Sequence, residues 1–86
     1  AIINAMAAGI KGDIAVEKGD NAGAAKLFEQ AAKVSENDFT TPMYLRKAAL
    51  AYSAMGDAAK AEALLKTVSE QYPASYDARE ATKLVD

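Results

Sequence analysis

An internal repeat restricts the fold of this chain more than any other feature of its sequence. The pair Gly19-Asp20 recurs as Gly56-Asp57, 37 positions further along the chain. Apolar residues follow each pair at matching positions: Ala24, Leu27, Phe28 and Ala31 in the first copy, and Ala61, Leu64, Leu65 and Val68 in the second. This spacing places the side chains on one face of an α-helix. Because Gly ends one helix and Asp caps the next, each pair predicts a corner that leads into an amphipathic helix.

A second helical face precedes each corner. It consists of Ala8, Gly12 and Ala15 in the first copy, and of Leu45, Ala49 and Tyr52 in the second. Each copy therefore predicts two helices joined by a tight corner. We expect Gly12 to lie where two helices approach closely, which would offset its cost of about 1 kcal/mol in helix propensity relative to Ala. With a final short segment, the chain is predicted to be all-α, with helices near residues 2–18, 21–35, 42–55, 58–71 and 75–85.

Pro and hydroxyl residues mark the ends of the later helices. Thr41-Pro42 predicts a helix start, because Thr can cap a helix and Pro is tolerated at the first helical position. Tyr72-Pro73 predicts the end of the fourth helix, because Pro disfavours helical geometry in the residue before it. We expect Ser75 to cap the fifth helix, and Phe39 to tuck beneath the loop that precedes the third.

Composition and charge exclude several classes of function. The chain is 51% hydrophobic and only 7% aromatic, and its abundant Ala favours closely packed helices over a sheet. Its net charge of -2 offers no basic field for nucleic acid. Because Cys and His are absent, disulfides, a Cys nucleophile and soft metal sites are excluded, and we expect no cofactor. No apolar run approaches the roughly 20 residues of a membrane span, so we expect no direct membrane insertion.

The two copies resemble the tetratricopeptide repeat family. The second copy carries the resemblance on Leu45, Ala48-Ala49, Tyr52, Gly56-Asp57, Ala61, Leu65, Val68 and Pro73. The first copy matches on Ala8, Gly12, Ala15, Gly19-Asp20, Ala24, Phe28 and Ala31. It departs from the signature at Lys11 and Glu36, where the family has an apolar residue and Pro. The family period of about 34 residues also implies an insertion between the copies, which are 37 residues apart.

The resemblance implies a right-handed superhelical stack of antiparallel helical hairpins. We expect one domain over residues 1–86, with repeats at about 2–36 and 42–73 and a capping helix at about 75–85. The chain opens within a helical pattern, without Met or a capping residue, so we expect a fragment of a longer protein. Its end resembles that of cell-envelope tetratricopeptide proteins of Gram-negative bacteria. This suggests the periplasm, with the cytoplasm as the alternative, because a lack of Cys fits both compartments.

Two short patterns have a chemical and a structural interpretation. Residues 9–12 spell the GXXG of a loop that clamps nucleic acid, but they lie within a helical pattern of an acidic chain, so we favour a helix. Asp13 and Glu17 share a helix face and suggest paired catalytic carboxylates or a hard-metal site. Two carboxylates one turn apart cannot enclose a reacting centre or supply the six to eight oxygens that calcium needs, so we favour a solvated face.

The resemblance places a concave, partner-binding wall on the first helix of each hairpin. The residues it assigns there are Asp13, Glu17, Met43, Arg46, Lys47, Leu50 and Ser53. Arg46 and Lys47 could bind a carboxylate. The family's carboxylate clamp, however, needs Lys and Asn side chains over three repeats, and the acidic pair on the first helix would repel such a ligand. A solvated helix face is the favoured interpretation of the two basic residues.

The N-terminal helix carries an apolar face that a preceding repeat would cover in a longer array. The residues of this face are Ile2, Ile3, Met6 and Ile10. An uncovered apolar patch is either a contact surface or a result of truncation, and both predict self-association or a bound neighbour, with a homodimer as the expected form.

The sequence thus predicts a non-catalytic scaffold that binds a protein or peptide. The alternative is a structural or oligomerisation module of a larger envelope protein. An enzyme is not expected, because the scattered Ser, Thr, Lys and carboxylates show no motif that pairs a nucleophile with a base.

Overall fold

The helical patterns of the sequence appear as five α-helices in the computed structural model. The structure describes the backbone of residues 2–34 and 36–85, and the side chains of residues 4–34 and 36–81. The helices are α1 (Ile2–Glu17), α2 (Asn21–Val34), α3 (Thr40–Ala54), α4 (Ala58–Gln71) and α5 (Tyr76–Val85). No strand occurs within these ranges. The all-α prediction is confirmed, and the predicted helix ends are correct to within two residues.

The helices pack as successive hairpins. Each helix packs against the next, and α3 also contacts α5. Helix α3 therefore packs between α2 and α4 and also touches α5. None of the described helices is both long and apolar enough to cross a bilayer.

The two Gly-Asp corners have the predicted geometry. Gly19 and Gly56 have positive φ angles of 80° and 83°, which L side chains rarely adopt. Asp20 Oδ1 accepts a hydrogen bond from the backbone N–H three residues later at 2.9 Å, and Asp57 Oδ1 does the same at 3.2 Å. Each corner thus ends one helix and caps the next, so both hairpins turn in the same way.

The core consists mainly of small side chains, which lets the helices approach closely. Both predicted faces of each copy point inward, and Phe28 and Val68 are 2% and 0% exposed. A Cβ atom at Gly12 would lie 2.6 Å from the ring of Phe28, which confirms the close approach predicted there. Gly9 plays the same part beside α3, because a Cβ there would lie 2.5 Å from the ring of Tyr44.

The predicted capping role of Thr41 is wrong. Helix α3 begins one residue before it, at Thr40, whose backbone N–H donates to Asn37 Oδ1 at 2.7 Å. The Thr41 hydroxyl instead donates to the carbonyl of Ala32 at 3.3 Å and accepts from the Asn37 N–H at 2.9 Å. Asn37 therefore organises the start of α3, and Thr41 ties it to α2.

The predicted burial of Phe39 is also wrong. Its side chain is 86% exposed. The backbone N–H of Phe39 donates to Asn37 Oδ1 at 2.9 Å, so the loop turns tightly before α3 and directs the ring outward.

The predictions for the end of the fold are confirmed where the structure describes the residues. Helix α4 ends immediately before Tyr72-Pro73, and Ser75 Oγ accepts a hydrogen bond from the N–H of Ala78 at 2.9 Å. Ala78 and Ala81 are buried, as a capping helix requires. The side chain of Val85, at the end of α5, lies outside the described residues.

Candidate protein-binding surface

Helices α1 and α3 lie side by side and are joined by an ion pair. Lys47 Nζ lies 3.1 Å from Asp13 Oδ1, and the side chains are 35% and 56% exposed. The same ammonium lies 5.4 Å from the ring centroid of Phe28, a cation–π distance. Lys47 therefore bridges an exposed carboxylate on α1 and a buried ring on α2, which fixes its position at the surface.

A shallow cleft of about 240 Å³ opens beside this ion pair. It is lined by Asp13, Val16, Asn21, Phe28, Lys47, Leu50, Ala51 and Ala54. Leu50 also borders a second cleft of about 170 Å³, toward α4. At 43% exposure, Leu50 forms an apolar ridge between the two clefts. We call this surface, with both clefts and the ridge, the α1/α3 surface.

The structure brings only some of the residues predicted for the concave wall to the α1/α3 surface. Asp13, Lys47 and Leu50 come together in the first cleft, and Ser53 lines the second. Met43 is partly buried and packs on the core. Glu17 is exposed at the end of α1 and is not brought into the cleft that Lys47 lines.

Arg46 and Lys47 are not on a simple solvated face, so that interpretation is wrong. Arg46 Nε lies 2.8 Å from Asp77 Oδ1 of α5, with the two side chains only 22% and 11% exposed, and its guanidinium lies 5.9 Å from the Tyr76 ring centroid. Lys47 pairs with Asp13 as described above. The sequence interpretation failed because both partners come from other helices. Helix α1 supplies a carboxylate to Lys47, and α5 supplies one to Arg46.

The described residues of α1 form neither a nucleic-acid-clamping loop nor a metal site. Gly9 and Gly12 lie within a continuous helix and are buried against aromatic rings, so no clamping loop forms. Among the residues whose side chains are described, no group of three His, Cys, Asp or Glu comes together to hold a metal ion. The Asp13 carboxylate is engaged by an ammonium, as a structural ion pair would be.

The predicted self-association face is partly described. Met6 and Ile10 are 50% and 57% exposed, whereas the side chains of Ile2 and Ile3 lie outside the described residues. Ile14, at 46% exposure, extends this apolar surface and was not predicted. Helical periodicity could have indicated it, because Ile14 follows Ile10 by four residues.

Tyr52 fastens α3 to α2 through its hydroxyl. Tyr52 Oη donates to Glu29 Oε2 at 2.7 Å, and Lys60 Nζ lies 5.3 Å from the ring centroid. This hydrogen bond, together with burial and the negative charges of Glu29 and Asp57, raises the pKa of Tyr52 above its ordinary value. The phenol therefore stays protonated at neutral pH and acts as a hydrogen-bond donor.

The raised pKa of Tyr52 predicts a loss of stability in alkali. The folded state favours the protonated phenol more than the unfolded state does. The stabilising contribution of the protonated Tyr52 phenol to the free energy of unfolding is therefore complete below about pH 10, the ordinary pKa of Tyr. This contribution decreases as the pH rises above that value. Tyr52→Phe should remove this part of the pH dependence and lower the free energy of unfolding by about 0.5–1.5 kcal/mol at neutral pH. Urea unfolding at a series of pH values measures both. An unchanged alkaline slope in Tyr52→Phe would contradict the assignment.

Comparison with known proteins agrees with the repeat and the fold. A family model described as tetratricopeptide repeat matches residues 15–83, which is most of the chain. No curated protein and no solved structure matches the chain. The match includes both Gly-Asp corners, all of α2, α3 and α4, and most of α5. With its repeated hairpins and capped corners, the chain belongs to the tetratricopeptide repeat family.

Proposed function

We propose that the α1/α3 surface binds a segment of a partner protein, and that the chain serves as a non-catalytic scaffold. Tetratricopeptide repeats generally mediate protein–protein interaction and are generally non-catalytic. The observation that carries the proposal is the exposure of Leu50 between two clefts. An exposed apolar side chain bordered by clefts is typical of a protein-binding surface.

The ion pair beside Leu50 supports the same use. Lys47 and Asp13 place one positive and one negative group at the edge of an apolar patch, which gives the polar rim of a protein interface. Because the two charges are paired, a partner need not supply a strong net charge. We therefore favour a partner segment, helical or extended, that inserts apolar side chains beside Leu50 and places polar groups at the rim.

Leu50→Glu should weaken partner binding by about tenfold or more and leave the fold intact. The change puts a charge on the ridge, and a desolvated carboxylate there should weaken binding by about tenfold or more. Val34→Glu is the matched control, because Val34 is 40% exposed on α2, away from the α1/α3 surface. Proteins retained from an extract of the source cells are compared by quantitative mass spectrometry. If Leu50→Glu retains the same proteins as the parent, the proposal is wrong.

A second candidate function is self-association, as a structural module of a larger envelope protein. The exposed apolar side chains of Met6, Ile10 and Ile14 on α1 favour it. Light scattering of the parent and of Ile10→Glu tests it: a dimer that the substitution converts to a monomer supports this function. A monomeric parent rejects it and leaves the α1/α3 surface as the proposed contact.

A further inference from the structure

We propose a second binding site, a cleft between the loop before α3 and the start of α5 that takes an extended, proline-containing segment with a basic residue. Its volume is about 450 Å³. Its lining includes Asp38, Phe39, Gln71, Tyr76 and Asp77. We call it the aromatic cleft. It shares no lining residue with either cleft of the α1/α3 surface, so it is a separate site.

The ring of Phe39 is exposed on a loop whose backbone is held by hydrogen bonds. Asn37 Oδ1 accepts hydrogen bonds from the N–H groups of Phe39 and Thr40, at 2.9 and 2.7 Å. Asn37 Nδ2 also donates to the Thr40 hydroxyl at 2.6 Å. This network orders the loop while the Phe39 side chain remains 86% exposed. A hydrophobic ring presented on an ordered loop suits a partner better than it suits the core.

A second exposed ring in the lining of the cleft lies on an ordered element. Tyr76 is 61% exposed in the first turn of α5. The guanidinium of Arg46 lies 5.9 Å from its ring centroid and is fixed by the ion pair to Asp77 at 2.8 Å. The two rings therefore belong to a preorganised site, which lowers the entropy lost when a partner binds.

The chemistry of the walls favours proline in an extended conformation. Aromatic-lined grooves bind polyproline II segments, whose rings pack on the aromatic faces and whose backbone carbonyls remain free to accept hydrogen bonds. The Tyr76 hydroxyl and the side-chain amide of Gln71 are donors within the lining.

The charges at the cleft favour a basic residue in the partner. Asp77 is neutralised by Arg46, so its carboxylate is not the attractive group. Asp38 is exposed at the rim and provides a second carboxylate, in a chain whose net charge is -2. A Lys or Arg beside the proline can pair with Asp38 at modest strength, since the site is open to solvent and to salt.

A peptide array tests this occupant. The labelled chain is applied to short peptides in which Pro spacing varies and Lys or Arg occupies each flanking position. Matched sets replace Pro with Ala, or the basic residue with Glu. The affinity of the best peptide is then measured by fluorescence polarisation for the parent and for Phe39→Ala, Tyr76→Ala, Asp38→Asn and Phe39→Tyr. Leu50→Glu is the control at the other surface, and circular dichroism verifies that each variant is folded.

We expect the basic, proline-containing set to bind best. Phe39→Ala and Tyr76→Ala should each weaken binding by about tenfold, as loss of an aromatic hot spot does. Asp38→Asn should weaken it by about threefold at low salt and less at high salt. Phe39→Tyr and Leu50→Glu should stay within about twofold of the parent.

Four results would overturn the proposal. One is that no proline-containing basic peptide binds the parent more tightly than it binds Phe39→Ala and Tyr76→Ala. Another is that the Ala or Glu sets bind equally well. The third is that Leu50→Glu weakens the peptide as much as Phe39→Ala does, which would assign the peptide to the α1/α3 surface. The last is that Phe39→Tyr loses binding as fully as Phe39→Ala, which would show that an aromatic ring at position 39 is not what the peptide recognises.

Discussion

Phe28→Ala is expected to lower the free energy of unfolding by about 3–5 kcal/mol, whereas Phe39→Ala should change it by less than about 0.5 kcal/mol. The two substitutions remove the same side chain from opposite environments, 2% and 86% exposed. Phe28 fills the space between α1, α2 and α3, where Gly12 and Lys47 contact its ring. Its loss leaves a cavity that rigid helices close only in part. Loss of the Phe39 ring leaves no cavity.

Urea unfolding followed by circular dichroism measures the difference between the two variants. In a chain of this size, the expected loss at Phe28 is a large fraction of the total stability. Phe28→Leu, which keeps most of the volume, should therefore be measured beside it and should lose less. Equal losses in Phe28→Ala and Phe39→Ala would contradict the packing described here.

Gly12→Ala should destabilise the fold by about 1–3 kcal/mol, even though Ala improves helix propensity by about 1 kcal/mol. The added Cβ would lie 2.6, 2.8 and 3.0 Å from three atoms of the Phe28 ring. That ring is buried, so it moves only by disturbing α3 as well. The steric cost therefore exceeds the gain in propensity.

A double-mutant cycle with Phe28→Leu isolates this contact. The smaller Leu side chain makes room for the new methyl group, so the double variant should lose less stability than the sum of the single variants. We expect a coupling of about 0.5–3 kcal/mol, typical of residues in contact. Additive losses, or a stabilised Gly12→Ala, would show that α1 and α2 are not in close contact at this position.

The helices and corners were predictable because the repeat encodes them twice. Gly19-Asp20 and Gly56-Asp57 give the same local chemistry at the same register, and the apolar faces follow from helical periodicity. The errors at Phe39 and Thr41 lie in the connection between the repeats, where no second copy and no period constrain the chain. There, the Asn37 side chain competes successfully for the backbone N–H groups at the start of α3.

The candidate site was predicted only in part, because its electrostatics depend on the positions of three helices. Periodicity places Arg46 on a helix face but does not indicate that Asp77, on α5, lies within reach of it. Val16 was missed at the α1/α3 surface although a signal existed. It precedes Ser53 by the repeat spacing of 37, so the wall assigned to α3 predicts an equivalent position there.

Site-specific photo-cross-linking at Leu50 tests the central claim most directly. A photoactivatable amino acid replaces Leu50 in one variant and Val34 in another, and each is irradiated in the source cells. We expect a cross-linked protein–protein product from position 50 and none from position 34, because Leu50 lies on the α1/α3 surface and Val34 does not. Products from position 34 alone, or from neither position, would contradict it.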